Sequence, residues 1–406
     1  MGLLITRAWR TLRMLHRPAK LSGPQEKPVT SVTERMAIVP RPCREVVAIV
    51  DFCGVKATIG TDIGRAAELL RAGEVVAIPT ETVYGLAANA YDGSAVLKIF
   101  QAKQRPAFDP LIVHVHSMEQ MREVVSFLDC ARNDTARNDT GKEAEALMKK
   151  FWPGPLTLVL PKSDRVPDLV TSGLDTVAVR MPAHPIALEL LRSLEFPLAA
   201  PSANPFGYVS PTTAQHVADQ LGGKIKYILD GGPCTIGVES TIIGWEAHLS
   251  RLDFSHAPRA AKSRYANARH DKWVLYRPGG TPVGDIEAVI GQVGVARKQV
   301  LPASPGMLES HYAPRKPVYI GDVQALLKEH AGKRVAVIAF TEKHDAWRTE
   351  VLSPTGDPAE AARHLFAALR SLDASDAEVI LAEVFPQEGL GTAINDRLRR
   401  ASAKRA

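Results

Sequence analysis

The stretch IGRAAELLRAGEVVAIP, Ile63 to Pro79, reads in two halves: a helix closed by Gly73, then a short buried strand in EVVAIP. A second unit of the same kind follows at once. SAVLKIFQAK is expected as a helix capped by Ser94, LIVHVH (Leu111 to His116) as a strand, and SMEQMREVVSFL as a further helix. Beyond these, LTLVLP, TVAVR, KYIL, STIIGW and WVLYRP have the length and apolar content of strands. Helices mixed with that many strands define an α/β fold, expected from about Ile59 to Val293.

Working outward, the periodicity lapses around Val295 to Arg315, where prolines frame RKQVLPASPGMLESHYAPRKP, the composition of a linker. Past it, PVYI, a helix over Val323 to His330, RVAVIAF, a helix near Ala359 to Leu372, EVILAEV and a helix near Thr392 to Ala401 alternate in the βαβ manner. That predicts a small parallel-sheet domain, and with no GxGxxG after its first strand it carries no dinucleotide-binding expectation. The tandem ARNDTARNDT, Ala131 to Thr140, is expected as a polar loop-tip insertion, and His248 to Asp271 as an irregular surface excursion.

At 406 residues, 45% hydrophobic and 23% charged, the chain has room for two or three ordinary domains. No apolar run approaches the roughly 20 residues that span a bilayer, so membrane-spanning readings are excluded. The net charge of +6 is located at the ends. Arg7, Arg10, Arg13, Arg17 and Lys20, with Arg397, Arg399, Arg400, Lys404 and Arg405, exceed the whole surplus, and the body between them is slightly acidic. A general nucleic-acid-binding surface is therefore unsupported, while a local basic groove is not excluded. Cys43, Cys53, Cys130 and Cys234 show neither CxxC pairing nor histidines at ligand spacing, which argues against zinc and for reduced thiols. The Arg-rich, acid-poor first 25 residues fit either an amphipathic transit segment or a disordered leader. The proline-rich polar run to Pro42, with Met36 able to start translation, favours the latter.

Chemistry is concentrated in a few short stretches. PTETVYGL, Pro79 to Leu86, leaves the end of a buried strand with hydroxyls, a carboxylate and a phenol, the place where α/β sheets bind ligands. On the sequence alone, Thr80 and Thr82 serve equally well as turn caps. Lys103 and Arg105, stiffened by Pro106 beside a helix end, suit polyphosphate, one as a point charge and the other as a bidentate fork. His114 shares a strand face with Ile112 and His116, and a lone histidine there is more often structural than a ligand. APSANPFG, Ala200 to Gly207, followed by Ser210, is a proline-framed loop whose Ser202, Asn204 and backbone amides can face an anion. It is not GxSxG and no His/Asp partner is set by spacing, so a hydrolase triad is rejected. Thr176 and Arg180 in TVAVR, Ser240 in VESTIIG and Arg277 in RPG are weak signals singly.

Taken in order, PTETVYGLAANA, KQRPAFDPLIVHV, PSANPFG, STIIG, RPG and the linker's SPGMLESHYAP resemble the Sua5/YrdC/YciO family, densely from Thr61 to Pro314, and the terminal domain matches the Sua5 type in position and size. The resemblance implies a leader at 1–58, a YrdC-like twisted-sheet catalytic domain at 59–293, a linker or lid at 294–316 and a small Rossmann-like parallel α/β domain at 317–406. It implies a cytoplasmic enzyme condensing L-threonine, bicarbonate and ATP into L-threonylcarbamoyladenylate and pyrophosphate, the product passing to the machinery that makes t6A in tRNA. On the matching positions, Thr82, His114, Arg180, Ala200 and Ser240 would contact threonine. Arg105, Asp109, Thr176, Ser202, Ser210, Arg277 and Tyr312 would contact ATP, with Lys103 a further phosphate ligand. Mg²⁺ would bridge the phosphates without a dedicated cage, and catalysis would rest on positioning and charge neutralisation with no covalent nucleophile. The family shows Asn where this chain has Asp109, which sets an acid near the polyphosphate.

The competing reading is an RNA-binding or regulatory module using the same cationic groove. Aromatics at 6%, and cations paired with hydroxyls instead of stacking rings, weigh against it, and the motifs leave direct tRNA binding open. A carbamoyl-phosphate-type transferase would show zinc-finger cysteines and acylphosphatase elements, and neither is visible. Ser304 to Pro314, with Tyr312 among rigid turns and one glycine, is expected to close over the nucleotide as a lid.

Overall fold

The computed structural model describes residues 56–126, 135–245, 273–295 and 311–403, the side chains of 135–140 excepted. The leader, the irregular 248–271 stretch, the first ARNDT up to residue 134 and lid residues 304–310 lie outside the described residues. In chain order the first lobe comprises β1 (Thr58–Gly60), α1 (Ile63–Arg71), β2 (Val76–Ile78), β3 (Gly85–Asn89), α2 (Gly93–Lys103), β4 (Ile112–His114), α3 (Met118–Val124), α4 (Thr135–Phe151), β5 (Leu156–Pro161), α5 (Asp168–Thr171), β6 (Thr176–Arg180), α6 (Pro185–Arg192), β7 (Leu198–Ala199), α7 (Ala214–Leu221), β8 (Tyr227–Leu229), β9 (Thr241–Trp245), β10 (Trp273–Arg277), α8 (Val283–Ile290) and β11 (Gly294–Val295). The second comprises β12 (Val318–Ile320), α9 (Val323–Glu329), β13 (Val335–Ala339), β14 (Arg348–Val351), α10 (Pro358–Ala374), β15 (Val379–Ala382) and α11 (Gly391–Ser402).

Local chemistry accounts for most boundaries. Asp62 caps α1 by accepting from the Arg65 amide at 3.0 Å, and the helix buries Ala66, Ala67, Leu69 and Leu70 before Gly73, at φ 71°, turns the chain away. The cap of α2 is Asp92, not Ser94. Its carboxylate accepts from the amides of Ser94 at 2.8 Å and Ala95 at 3.3 Å, and an ionised acceptor beside a helix N-terminus outcompetes a hydroxyl two residues later. The expected LIVHVH strand is shorter, with only Ile112–His114 paired and His116 half-buried beyond it. The second ARNDT copy lies inside α4 instead of in a loop. Ala144, Leu147 and Met148 dock that helix in the core, and propagation back through an Ala/Arg-containing segment costs little.

The larger sheet is mixed, with strand order β1-β8-β2-β3-β7-β4-β6-β5-β9-β10-β11. Its two faces differ because side chains alternate with period two. On one face Val113, Val177, Val179, Leu158 and Ile243 enter the main core. On the other, Ile112, Ala178, Val159 and Ile242 form a small apolar floor. His114 and Arg180 share that second face and are direct partners in the parallel β4–β6 register.

The smaller sheet is wholly parallel, ordered β12-β15-β13-β14. Helix α10 buries Ala361, Ala362, Leu365, Phe366, Ala368, Leu369 and Leu372 along one side. This core is not private to the second lobe. Val83, Val209, Val238 and Tyr312 belong to the same cluster as Phe366, Phe385 and Leu398, and each fully buried large apolar side chain is worth about 1.5–3 kcal/mol. Among the described residues no helix is long and apolar enough to cross a membrane.

Candidate active site

Loops from strands β2, β3, β7, β9 and β10 converge over the apolar floor. They border a cavity lined by Thr80, Thr82, Val83, Gly85, Arg105, Ile112, His114, Arg180, Ala200, Pro201, Ser202, Glu239, Ser240, Arg277, His311 and Tyr312. Of the residues singled out from sequence, Thr82, Arg105, His114, Arg180, Ala200, Ser202, Ser240, Arg277 and Tyr312 come together here, although they span residues 82 to 312 of the chain.

Each cation is held by carbonyls and hydroxyls. Arg105, after the left-handed Gln104 (φ 54°) ends α2, donates Nε to the Asp109 carbonyl at 3.1 Å and Nη2 to the Pro110 carbonyl at 2.8 Å. Arg180 donates Nε to the Gly154 carbonyl at 3.1 Å and Nη1 to Thr82 Oγ1 at 2.9 Å, with Glu81 Oε1 at 2.6 Å from Nη2. Arg277 donates Nε and Nη2 to the Ser240 carbonyl at 3.1 and 2.9 Å, and Ser240 Oγ also contacts Thr157 Oγ1 at 2.8 Å. Burial lowers the pKa of Arg105 and Arg277 from the ordinary 12.5. A guanidinium starts so high that both remain charged. Three cations face one cavity, an arrangement that suits an anionic ligand.

His114 is different. Burial, reinforced by neighbouring Arg180, pushes its pKa down to about 3, so the ring is neutral and offers hydrogen bonds, not charge. Thr80 proves to be the turn cap: its hydroxyl donates to the Val83 carbonyl at 2.6 Å and accepts from the Val83 amide at 3.2 Å, leaving Thr82 to meet Arg180.

Lys103, Asp109, Ser210 and Thr176 are not among the lining residues. Lys103 is buried and its ammonium donates to the carbonyls of Ser202 and Asn204, so it braces the PSANP loop from beneath. Burial first, and then Arg105, depress its pKa well below 10.5. Asp109 lies behind Arg105, Oδ2 to Nη2 at 2.9 Å, and Ser210 Oγ donates to Glu239 Oε1 at 2.5 Å. Thr176 starts β6, opposite Pro161, four residues of extended strand from Arg180. Sequence reasoning passed over Glu239, Glu81 and His311 as site residues. Glu239 directly precedes Ser240 in a quoted motif, and His311 directly precedes Tyr312; Glu81 stands within PTETVYGL, and only burial beside Arg180 distinguishes it from a surface acid.

The end of the linker reaches the cavity. Tyr312, 1% exposed at φ 60°, meets His311 edge-on at 4.1 Å and stacks on Phe366 at 5.8 Å, while the Ala313 amide donates to the Gly207 carbonyl at 2.9 Å. Burial raises the Tyr312 pKa, so its phenol stays protonated.

Two family models match the chain: one described as telomere recombination (Sua5_yciO_yrdC) over residues 68–251, the other as threonylcarbamoyl-AMP synthase, C-terminal domain (Sua5_C), over 282–403. The threonylcarbamoyl-AMP synthase of Pyrococcus abyssi is 46% identical over 357 residues, covering 84% of this chain and 94% of the relative. That of Bacillus subtilis is 42% identical over 371 residues, covering 88% and 97%. The crystal structure of P. abyssi Sua5 complexed with L-threonine superimposes with a TM-score of 0.70 at 44% identity, covering 84% of this chain and 94% of that one. Matched in both lobes, and by relatives whose own length it nearly fills, the chain belongs to the Sua5/YrdC/YciO family, in its two-lobed Sua5 type.

Proposed function

We propose that this chain is an L-threonylcarbamoyladenylate synthase, a nucleotidyltransferase that condenses L-threonine, bicarbonate and ATP and releases pyrophosphate, supplying the activated donor for t6A in tRNA. The observation that carries the reading is the convergence of Arg105, Arg180 and Arg277 with the hydroxyls of Thr82, Ser202 and Ser240 on one cavity. The reaction brings two anions together. The threonine amine bonds to the carbon of bicarbonate with loss of water, giving N-carboxy-threonine; its carboxylate then forms a bond to the α-phosphorus as the bond from that phosphorus to the pyrophosphate oxygen breaks, and the electron pair leaves with pyrophosphate. Fixed cations neutralise both partners without reorganising, which is where such sites obtain most of their rate.

In this assignment Arg105, Ser202, Arg277 and Tyr312 face ATP, while Thr82, Arg180, Ala200, Ser240 and neutral His114 face threonine. Lys103, Asp109 and Ser210 act from behind, bracing the PSANP loop, Arg105 and Glu239 in turn. For Thr176 the geometry supports no direct contact. Mg²⁺ is assigned to the substrate, carried on the phosphates of ATP. Glu239 is the one carboxylate among the described lining residues, and both of its oxygens are taken by protein donors. The working division is a catalytic domain over 59–293, a linker over 294–316 and a C-terminal domain over 317–406, in a cytoplasmic enzyme. Pyrophosphate release assayed with ATP, threonine and bicarbonate, each omitted in turn, tests the reading. Release is expected only with all three, and release indifferent to threonine refutes it.

A further inference from the structure

Arg397 belongs to α11 in the second lobe, yet its side chain is 0% exposed and its bonds cross to the first. Nε donates to Glu239 Oε2 at 2.7 Å, and Nη1 donates to the Pro278 carbonyl at 3.0 Å and to Asp396 Oδ2 at 2.9 Å. The guanidinium carbon stands 5.0 Å from the centre of the Tyr312 ring. Glu239 and Tyr312 line the cavity, and Pro278 follows the cavity's Arg277. The turn carrying Arg277 is pressed against the same strand end: a Cβ on Gly279 would lie 2.3 Å from the Glu239 carbonyl oxygen. One guanidinium from the second lobe therefore touches three separate pieces of the wall.

Glu239 makes that contact consequential. Burial by itself would raise its pKa, but Arg397, Arg277 and the Ser210 hydroxyl hold it below the ordinary 4.5, so it is an ionised carboxylate on a cavity that would receive polyphosphate. An acid in that place repels the ligand unless a cation on its far side cancels it. Arg277 is engaged by Ser240 through Nε and Nη2. Arg397 keeps its own charge despite burial, because the carboxylates of Glu239 and Asp396 pair with it.

We infer that Arg397 is a positioning residue of the synthase site: it neutralises Glu239 and fixes the Arg277 turn and Tyr312, so that the C-terminal domain completes the nucleotide end of the cavity. The word nucleotide rests on the function proposed above; the contacts do not. Arg397 acts through the wall and is not assigned a contact with substrate.

Full-length protein is compared as wild type, Arg397→Met, Arg397→Lys, Glu239→Gln with Arg397→Met, and Arg363→Met. The last removes a contact across the same interface, Arg363 Nε to the Thr235 carbonyl at 2.9 Å, from an exposed side chain that does not line the cavity. Calorimetric titration with ATP and with threonine, a melting curve and pyrophosphate release are read for each. Arg397→Met is expected to lose about tenfold or more in ATP affinity while threonine affinity changes less than about threefold. Adding Glu239→Gln is expected to restore most of the ATP affinity, since the uncompensated charge is gone, a rescue that a merely structural role does not produce. Arg363→Met is expected to bind both ligands as wild type does. The inference is overturned by unchanged ATP affinity in Arg397→Met, or by equal losses for ATP and threonine that follow the melting temperature and ignore Glu239→Gln. If Arg397→Met does not fold, Arg397→Gln with and without Glu239→Gln replaces it, while Arg397→Lys, which keeps the charge, is expected to hold ATP affinity near that of wild type; ATP affinity in Arg397→Gln equal to wild type overturns the inference. Wild-type protein that binds ATP yet releases no pyrophosphate sinks the proposed reaction and leaves Arg397 to be judged on ATP binding; wild-type protein that binds no ATP sinks both.

Discussion

Replacing Arg105 by methionine removes a cation from the cavity and a partner from a buried acid, and the two losses are separable. Asp109 is 0% exposed with its Oδ2 at 2.9 Å from Arg105 Nη2. Breaking a buried pair from one side strands the other charge and costs about 3–5 kcal/mol, a fall in melting temperature of about 4–7 °C for a cooperative unit of this size. Burial already holds the Asp109 pKa above the ordinary 3.8 against Arg105, Lys103 and Arg277, and losing Arg105 raises it further. An acid raised in this way keeps its proton in the fold after the unfolded chain has released it. Stability therefore falls as pH rises from near 3.8 through the folded pKa, and the deficit of Arg105→Met is expected to be larger at pH 8 than at pH 5. Adding Asp109→Asn removes the stranded charge and is expected to return most of the melting temperature. ATP affinity is not expected to return, because a charge-assisted bond to phosphate is worth about 1.5–3 kcal/mol, roughly tenfold to 150-fold. Thermal melting across pH and calorimetric titration with ATP make the two measurements. Recovery of both quantities in the double variant, or a single variant that melts and binds as wild type, refutes the reasoning.

Three further outcomes are expected. His114, neutral in the fold with a pKa near 3, takes up its proton only on unfolding, so stability is lost as pH falls below 6.5, by about 2 kcal/mol at pH 5 from this residue alone; denaturant titrations at pH 5 and 7 should show that loss, and His114→Gln should reduce it. Lys103→Met should weaken ATP and threonine binding together, because the loop it braces carries both Ser202 and Ala200; a loss confined to ATP in paired titrations restores the direct phosphate role. Gly237→Ala should lower the melting temperature by several degrees and weaken ATP binding, since φ is 81° and the new Cβ would lie 2.4 Å from Arg363 Cα in α10; wild-type melting and affinity would mean that the lobes are not held at this point.

Local pattern made much of the fold legible. Apolar runs bounded by caps and glycines marked α1, β2, β5, β6 and the strands β12, β13 and β15 of the second lobe, because each carries its period and its stop signal within about ten residues. The missed strands lack that signal. β3 is Gly-Leu-Ala-Ala-Asn, with little strand propensity of its own, and is held by antiparallel pairing to β2 on one side and β7 on the other. β14, Arg-Thr-Glu-Val, is a polar strand at the edge of its sheet, paired among the described residues to β13 alone. The tandem ARNDT was read as a loop from its polarity, and helix propagation from a docked face overrode that reading in its second copy.

For the site, residue types and motif order in the sequence determined the family resemblance and most of the cations that line the cavity. Which of those residues face the cavity was settled only by tertiary structure. Lys103 and Arg105 look alike on the page, yet one guanidinium lines the cavity while the ammonium two residues earlier is spent on carbonyls a hundred positions away. Arg397 read as part of a basic tail and is fully buried against Glu239, 158 residues distant. Propensity and spacing act over a few residues, so a sequence can be read for them. Compensation of a buried charge is a sum over whatever the fold brings within a few ångströms, and no local pattern records it.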